Sequence, residues 1–381
     1  MRSLFRHSSR RHQRRLPSPL SAEVQSLEPR TLPAGTVTAV VSGGKITLTG
    51  DQNANHITIA ATGTGITLTG TDGTLIRKGA RTGTEFTVNS PNVTLDVTIN
   101  LRGGNDELTV NVGTADLVIG RNLKIDAGAG DDTITVPDDT GSITINGTFT
   151  VDLGTGADTL TTTTPITVLG NVKITGSSGN DTVDLTRFEA AQHLTIETGS
   201  GDDAVVLRDS RVAGNVNVAL SAGDDDLDTD NLMVGLDLDR DDRTVGGAAI
   251  FDGGSGSDEL NLVDSVFSGI ARISLQTGND TLALDSEFRG VLEVTAGAGN
   301  DDVLIGNADF QAHSRINLGS GDDELTVDGT PAKGTDVIIT LIAGIGDDTL
   351  RYNTADLATL GLAALLDEAN LVFDTETDLA P

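Results

Sequence analysis

Ala129-Gly130-Asp131-Asp132-Thr133-Ile134 is one copy of the pattern that decides the fold of this chain. Most copies read small residue, Gly, Asp or Asn, Asp, any residue, aliphatic, and eleven copies lie between Gly104 and Tyr352, with Ala157 and Ser257 at the third position in two of them. The second acidic position recurs at intervals of 21 to 33 residues, and 22 is the commonest interval. These positions are Asp106, Asp132, Asp158, Asp181, Asp203, Asp225, Asp258, Asp280, Asp301, Asp323 and Asp348. Such a period is typical of one turn of a solenoid, so one carboxylate should recur at one corner of every turn.

Aliphatic residues flank each corner with the period of two that marks a strand facing a core on one side. Leu123 and Ile125 precede the corner quoted above, and Ile134 follows it. Residues between such positions, for example Lys173 and Asp184, should point outward. The sequence therefore predicts an all-β fold, a single-stranded parallel β-helix with coils of about 22 residues.

The chain divides into three regions by composition. Residues 1–34 are basic and contain many Arg and several Pro residues, so they should be disordered. Residues 35–354 should form the β-helix, with irregular first coils and an insertion near residues 230–248. Residues 355–381 should form a C-terminal cap and tail, with a short amphipathic helix over Ala355–Asn370 covering the last coil.

Composition excludes several functional classes. The net charge of −31 makes a nucleic acid an unlikely partner and favours cations. The chain has no Cys, which removes disulfides, thiolate metal sites and Cys nucleophiles. Its apolar runs are too short for a membrane-spanning helix, so no membrane span is expected.

The corner itself suggests a calcium site. Adjacent coils lie ~4.8 Å apart, and calcium binds oxygens at ~2.3–2.6 Å, so an ion between two corners could reach both. Gly residues let the backbone turn its carbonyl oxygens toward such an ion. The candidate ligands are Asp106, Asp131, Asp132, Asp158, Asp181, Asp202, Asp203, Asp224, Asp225, Asp258, Asp280, Asp301, Asp322, Asp323, Asp347 and Asp348. Turn chemistry alone is the alternative, because Asp and Asn side chains also hydrogen-bond the nearby backbone without a metal.

The corner also resembles the Gly-Gly-x-Gly-x-Asp-x-aliphatic-x repeat of haemolysin-type (RTX) calcium-binding proteins. Gly253-Gly254-Ser255-Gly256-Ser257-Asp258-Glu259-Leu260-Asn261 fits that repeat at every position, whereas most other copies lack the first Gly. The family packs two such repeats into each turn, and this chain has one. The resemblance therefore implies a single row of calcium ions along the solenoid.

A second resemblance concerns export. Ser26-Leu27-Glu28-Pro29-Arg30-Thr31-Leu32 resembles the Leu-Glu-Pro-Arg segment near the N-termini of large secreted proteins of planctomycete bacteria. It covers under a tenth of the chain, and it implies that residues 1–34 are a targeting segment and that the protein is extracellular or at the cell surface.

These observations predict an exported calcium-binding structural or adhesive protein that is not an enzyme. Its expected partners are calcium ions together with a cell-surface polysaccharide or a matrix protein. The alternative is a polysaccharide-active enzyme or carbohydrate-binding β-helix, with Arg240 and Arg243 of the insertion as candidate charged groups. The insertion also carries Asp237, Asp239 and Asp241 at the spacing of an EF-hand loop, but the Gly and Glu that such a loop needs are missing.

Overall fold

The strands of this protein stack as the coils of a parallel β-solenoid, with about eleven turns of roughly 23 residues. The structure is a computed structural model that describes residues 35–62, 65–88, 96–238, 244–352, 360 and 372–373. Its strands belong to two sheets, one of 15 and one of 23 strands. The predicted all-β parallel β-helix is therefore confirmed.

The N-terminal part differs from the rest because several of its strands pair antiparallel. β1 pairs with β2, β3 with β4, β4 with β7, and β5 with β6, all antiparallel. The regular stack begins when β2 and β3 pair in parallel with strands of the first coil. The bounds are β1 (Thr36–Ser42), β2 (Lys45–Thr49), β3 (His56–Thr62), β4 (Gly65–Gly70), β5 (Leu75–Lys78), β6 (Arg81–Gly83) and β7 (Glu85–Val88).

Each regular coil has a strand before the Gly-Asp corner, a strand after it, and in most coils a third short strand. The strands before the corner are β8 (Val97–Asn100), β11 (Leu123–Ala129), β14 (Phe149–Thr155), β17 (Val172–Thr175), β20 (Leu194–Ser200), β23 (Val216–Ala222), β26 (Ala249–Ser255), β28 (Ala271–Thr277), β30 (Leu292–Ala298), β33 (Ser314–Ser320) and β36 (Ile339–Ile345). The strands after the corner are β9 (Glu107–Asn111), β12 (Thr133–Val136), β15 (Thr159–Thr162), β18 (Thr182–Thr186), β21 (Ala204–Arg208), β24 (Asp226–Asp230), β27 (Glu259–Phe267), β29 (Thr281–Phe288), β31 (Asp302–Ile305), β34 (Glu324–Val327) and β37 (Thr349–Tyr352). The third strands are β10 (Leu117–Ile119), β13 (Ile143–Ile145), β16 (Ile166–Val168), β19 (Phe188–Ala190), β22 (Arg211–Val212), β25 (Met233–Val234), β32 (Asp309–Phe310) and β35 (Ala332–Lys333), and β38 (Val372–Phe373) pairs with β37.

The register places equivalent residues of successive coils directly on one another. Leu123 pairs with Phe149 and Ile125 with Val151, and these residues are at most 8% exposed. Inward side chains of all coils therefore form one continuous apolar core. In the C-terminal half a column of phenylalanines runs along the axis, with ring centroids 5.3 to 5.9 Å apart in Phe251, Phe267, Phe288 and Phe310. These four phenylalanines thus fill the interior of the coils.

The predicted insertion and the two chain ends are described by the structure only in part. Leu236 and Thr244 form an isolated antiparallel bridge at the base of the insertion, whose residues 239–243 lie outside the described residues. The predicted targeting segment, residues 1–34, also lies outside them. Of the predicted helix over Ala355–Asn370 only Leu360 is described, and its side chain is buried.

Candidate metal site

The Gly-Asp corner depends on a glycine that no other residue could replace without strain. Gly130 has φ of 127°, in the region that favours Gly. A Cβ atom at Gly130 would lie 2.2 Å from the carbonyl oxygen of Gly104 in the preceding coil. The backbones of successive corners are therefore in close contact, and this contact aligns the acidic residues that follow.

The second acidic residues of all eleven corners form a buried column, here called the inner row. Each is at most 2% exposed: Asp106, Asp132, Asp158, Asp181, Asp203, Asp225, Asp258, Asp280, Asp301, Asp323 and Asp348. Asp132 lies two residues before the core residue Ile134, so its side chain shares the inward face of the strand. The prediction that these residues follow one edge of the solenoid is confirmed.

One oxygen of each inner carboxylate joins a ladder of hydrogen bonds. The backbone N–H of Asp106 donates to Oδ1 of Asp132, and the N–H of Asp132 donates to Oδ1 of Asp158, both at 2.7 Å. The same bond recurs at every step to Asp348, with N–O distances of 2.7 to 3.1 Å. The ladder crosses the insertion without a break, since the N–H of Asp225 donates to Oδ1 of Asp258.

The ladder begins at a residue that the sequence pattern did not identify. The N–H of Asn55 donates to Oδ1 of Asp106 at 2.6 Å, and Asn55 is fully buried. Its side-chain amide donates to the same oxygen at 3.1 Å. The signal was present, because Asn55 lies two residues before the buried Ile57, as every inner Asp lies two residues before an aliphatic residue.

The first acidic residues of the corners form a second column on the surface, here called the outer row. All five predicted ligands at this position are exposed: Asp131, Asp202, Asp224, Asp322 and Asp347. Their ladder runs in the opposite direction, because the side chains of Asp131, Asp202, Asp224 and Asp322 accept from the following coil. Oδ1 of Asp131 accepts from the N–H of Ala157 at 3.0 Å, and Oδ1 of Asp202 accepts from the N–H of Asp224 at 3.1 Å. The structure therefore separates the sixteen predicted ligands into two rows with different environments.

The other oxygen of the inner carboxylates has no hydrogen-bond partner within the described part of the chain. The buried, unpartnered atoms are Oδ2 of Asp106, Asp132, Asp158, Asp181, Asp203, Asp225, Asp258, Asp280, Asp301 and Asp323. A buried polar atom without a partner is costly, and a buried charge costs more. Ten of them in one column indicate that a proton or a cation belongs there.

Burial raises the pKa of the inner carboxyl groups from Asp106 to Asp323. Loss of solvation raises the pKa of Asp132, Asp181, Asp225 and Asp280 to about 7. It raises the pKa of Asp106, Asp158 and Asp323 to about 6. The backbone N–H bond to Oδ1 opposes this effect, and the neighbouring carboxylates of the row add to it. At these seven positions the pKa therefore lies close to neutral pH.

The space beside the unpartnered oxygens is narrow. A Cβ atom at Gly176 would lie 2.2 Å from Oδ2 of Asp181, and one at Gly253 would lie 2.5 Å from Oδ2 of Asp258. In most other coils the residue five positions before the inner Asp is a buried Leu or Ala: Leu101, Ala127, Leu153, Leu220, Leu275, Ala296 and Leu318. Carboxylates from adjacent coils form an all-oxygen donor set, which fits a hard cation. At Gly176 and Gly253 the missing Cβ lets the carboxylate approach the backbone of its own coil closely.

No protein-family model matches the chain, and no curated protein or solved structure is significantly similar to it. Within the described residues, no helix is both long and apolar enough to cross a membrane. A function is therefore inferred from the geometry of the inner and outer rows.

Proposed function

We propose that this protein is an exported structural module whose inner row binds calcium. The observation that carries the proposal is the column of ten buried Oδ2 atoms without a partner, one in each coil from that of Asp106 to that of Asp323. Two carboxylates of adjacent coils would share one ion, so that Asp181 and Asp203, for example, would act as ligands from both sides.

The electrostatics of the row support a cation. Two unit charges at the coil spacing of ~4.8 Å repel by about 1 kcal/mol in water and by more where solvent is excluded. Deprotonated inner carboxylates would repeat this repulsion at each step of the stack. A bound divalent cation supplies positive charge at these steps and favours the folded chain. Each occupied site adds ~2.7 kcal/mol at a ligand concentration a hundred times its dissociation constant.

The donor chemistry supports calcium over other cations. Every side-chain ligand in the inner row is a carboxylate, without imidazole or thiolate. Zinc prefers His and Cys ligands, and magnesium needs a tight octahedron. Calcium accepts six to eight oxygens with flexible geometry, and backbone carbonyls of the corner would add to the carboxylates.

A structural or adhesive role at the cell surface follows from the same features. A solenoid stabilised by calcium would be stably folded outside the cell. Its acidic surface would bind polysaccharide or matrix protein through further bridging cations. The resemblance of residues 26–32 to an exported protein family agrees with this location. Arg240 and Arg243, on which the enzyme alternative depends, lie outside the described residues.

A matched pair of variants tests the proposal. Asp203→Asn changes the inner row and Asp202→Asn the outer row, and both keep the Oδ1 acceptor. Thermal melting in chelator, calcium and magnesium, with calorimetric titration, gives the readout. We expect calcium to raise the melting temperature of the wild type and of Asp202→Asn strongly. Asp203→Asn should lose part of this increase. Magnesium should raise the melting temperature much less than calcium does. Equal melting in calcium and chelator, without heat of binding, would leave turn hydrogen bonding as the only role of the corner.

A further inference from the structure

A second group of possible metal ligands lies where the N-terminal strands join the first regular coil. His56 begins β3, Glu107 begins β9, and Asp72 lies in the turn between β4 and β5. Nδ1 of His56 lies 3.0 Å from Oδ2 of Asp72 and 3.4 Å from Oε2 of Glu107. All three ligand atoms lie within 4.8 Å of one another.

The backbone fixes the positions of these three side chains. The N–H of Thr74 donates to the carbonyl of Thr71 at 2.8 Å, and Asp72 and Gly73 have φ of 49° and 86°, which are the features of a type I′ turn. The buried hydroxyl of Thr74 accepts from the N–H of His56 at 2.9 Å. The parallel register of β3 and β9 pairs His56 with Glu107. The three groups are therefore held together by the fold of the backbone.

The chemistry of the group is unusual for a surface ion pair because two carboxylates converge on one ring nitrogen. That nitrogen carries at most one hydrogen, so it cannot fully satisfy both oxygens, and a protonated ring balances only one of two negative charges. A divalent cation in place of the shared hydrogen would contact all three atoms. Bonds of ~2.0–2.2 Å in a tetrahedron place ligand atoms about 3.4 Å apart, close to the separations from Nδ1 to the two oxygens.

We propose that His56, Asp72 and Glu107 bind a zinc ion. One imidazole and two carboxylates are ligands that zinc accepts in proteins, whereas an all-oxygen set is preferred by calcium. The side chains of Asp72 and Glu107 are 74% and 51% exposed, so the ion has access from solvent and a water can take the remaining position. The ion would connect the turn that contains Asp72 to the first coil. This site is independent of the inner row and of the proposed function.

The test is titration of the full chain with zinc in excess calcium, followed by calorimetry, and with cobalt(II), followed by visible absorption. We expect one site, with cobalt bands typical of tetrahedral nitrogen and oxygen ligation. Loss of a residue that only hydrogen-bonds a metal ligand weakens metal binding by roughly 10- to 100-fold. Zinc binding should be weakened by more than this in each of the variants His56→Ala, Asp72→Asn and Glu107→Gln. Asn suits the turn and Gln is isosteric with Glu, so melting without zinc should be little changed.

Two variants serve as controls. His193→Ala removes an exposed His of another coil, and Glu259→Gln changes the residue that begins the strand after a later corner, as Glu107 begins β9. Both should leave zinc affinity within about twofold of the wild type, well inside the change that ligand loss causes. If the three site variants bind zinc as tightly as these controls, the group is only a surface ion pair and the proposal is wrong.

Discussion

Asp131 and Asp132 are neighbours in the sequence, yet one lies at the surface and the other is 1% exposed. The same contrast recurs through the stack, between the outer and the inner row. Both rows accept one backbone N–H through Oδ1, but only the inner row leaves its second oxygen buried and without a partner. Turn hydrogen bonding therefore explains the acidic residues of the outer row. The unpartnered oxygens of the inner row need a proton or a cation in addition. Turn chemistry thus suffices for the outer row, and the calcium alternative stays a proposal for the inner row.

The two rows also differ in the direction of their hydrogen bonds along the stack. Inner side chains accept hydrogen bonds from the preceding coil, and outer side chains accept them from the following coil. Each corner is consequently connected to both neighbours by side chains in addition to the strand ladders. In a coil with both acidic groups, the side chain of Asp203 accepts from the preceding coil and that of Asp202 accepts from the following coil.

The largest expected effect comes from breaking the contact on which both rows depend. Gly299 has φ of 138°, and a Cβ there would lie 1.4 Å from the carbonyl oxygen of Gly278. Gly299→Ala should lower the free energy of unfolding by more than about 3 kcal/mol, because strain and a backbone clash combine. Gly43→Ala is the control, with φ of 57° and no atom within 4 Å of the added Cβ. It should cost only about 1–2 kcal/mol. Similar losses for both variants in urea melts would contradict the close contact at the corner.

The second-largest expected effect is a pH dependence of the free energy of unfolding that distinguishes the two rows. It is measured in the presence of a chelator, so that no metal is bound. Burial raises the pKa of Asp132 from 3.8 to about 7 in the folded chain, so the folded state binds more protons between these values. The stability from these protons is fully present below about pH 4 and is lost as pH rises through about 7. The free energy of unfolding should therefore fall between about pH 4 and pH 8, and saturating calcium should reduce the fall because metal replaces protons.

Two substitutions check that this pH dependence belongs to the inner row. Asp132→Asn removes one buried titrating group and should flatten the dependence in urea melts. Asp131→Asn changes an exposed group and should leave the slope as it is in the wild type. A slope that responds equally to both variants would show that general surface charge, rather than burial, is responsible.

The smallest effect tests the hydrogen bond of the outer row. Asp131→Ala removes the acceptor of the Ala157 N–H and should cost about 0.5–1.5 kcal/mol. Asp131→Asn keeps that acceptor and should change stability by less than about 0.5 kcal/mol. If both variants are equally destabilised, the charge of Asp131 matters and the outer row does more than complete a turn.

Much of this architecture could be predicted from the repeat. The corners, the flanking strands and the alignment of equivalent Asp residues follow from a pattern in which each coil has the same local preferences. The inward position of Asp132 was also accessible, because it shares the two-residue period with Ile134. The direction of the ladders was not accessible, since it depends on how the backbone of one coil is offset from the next. Asn55 was missed because the N-terminal strands depart from the repeat.

The sequence by itself determined the solenoid, its period and the presence of one acidic column, because Gly, Asp and aliphatic residues act through local geometry that every coil repeats. Only the tertiary structure decided which oxygens are left without a partner and which distant residues meet. Asp106 and Asn55 are 51 positions apart, and His56, Asp72 and Glu107 come from three segments. Their contacts depend on the antiparallel turn of the first strands and on the stacking register. These are set by long-range backbone pairing, which no short stretch of sequence encodes.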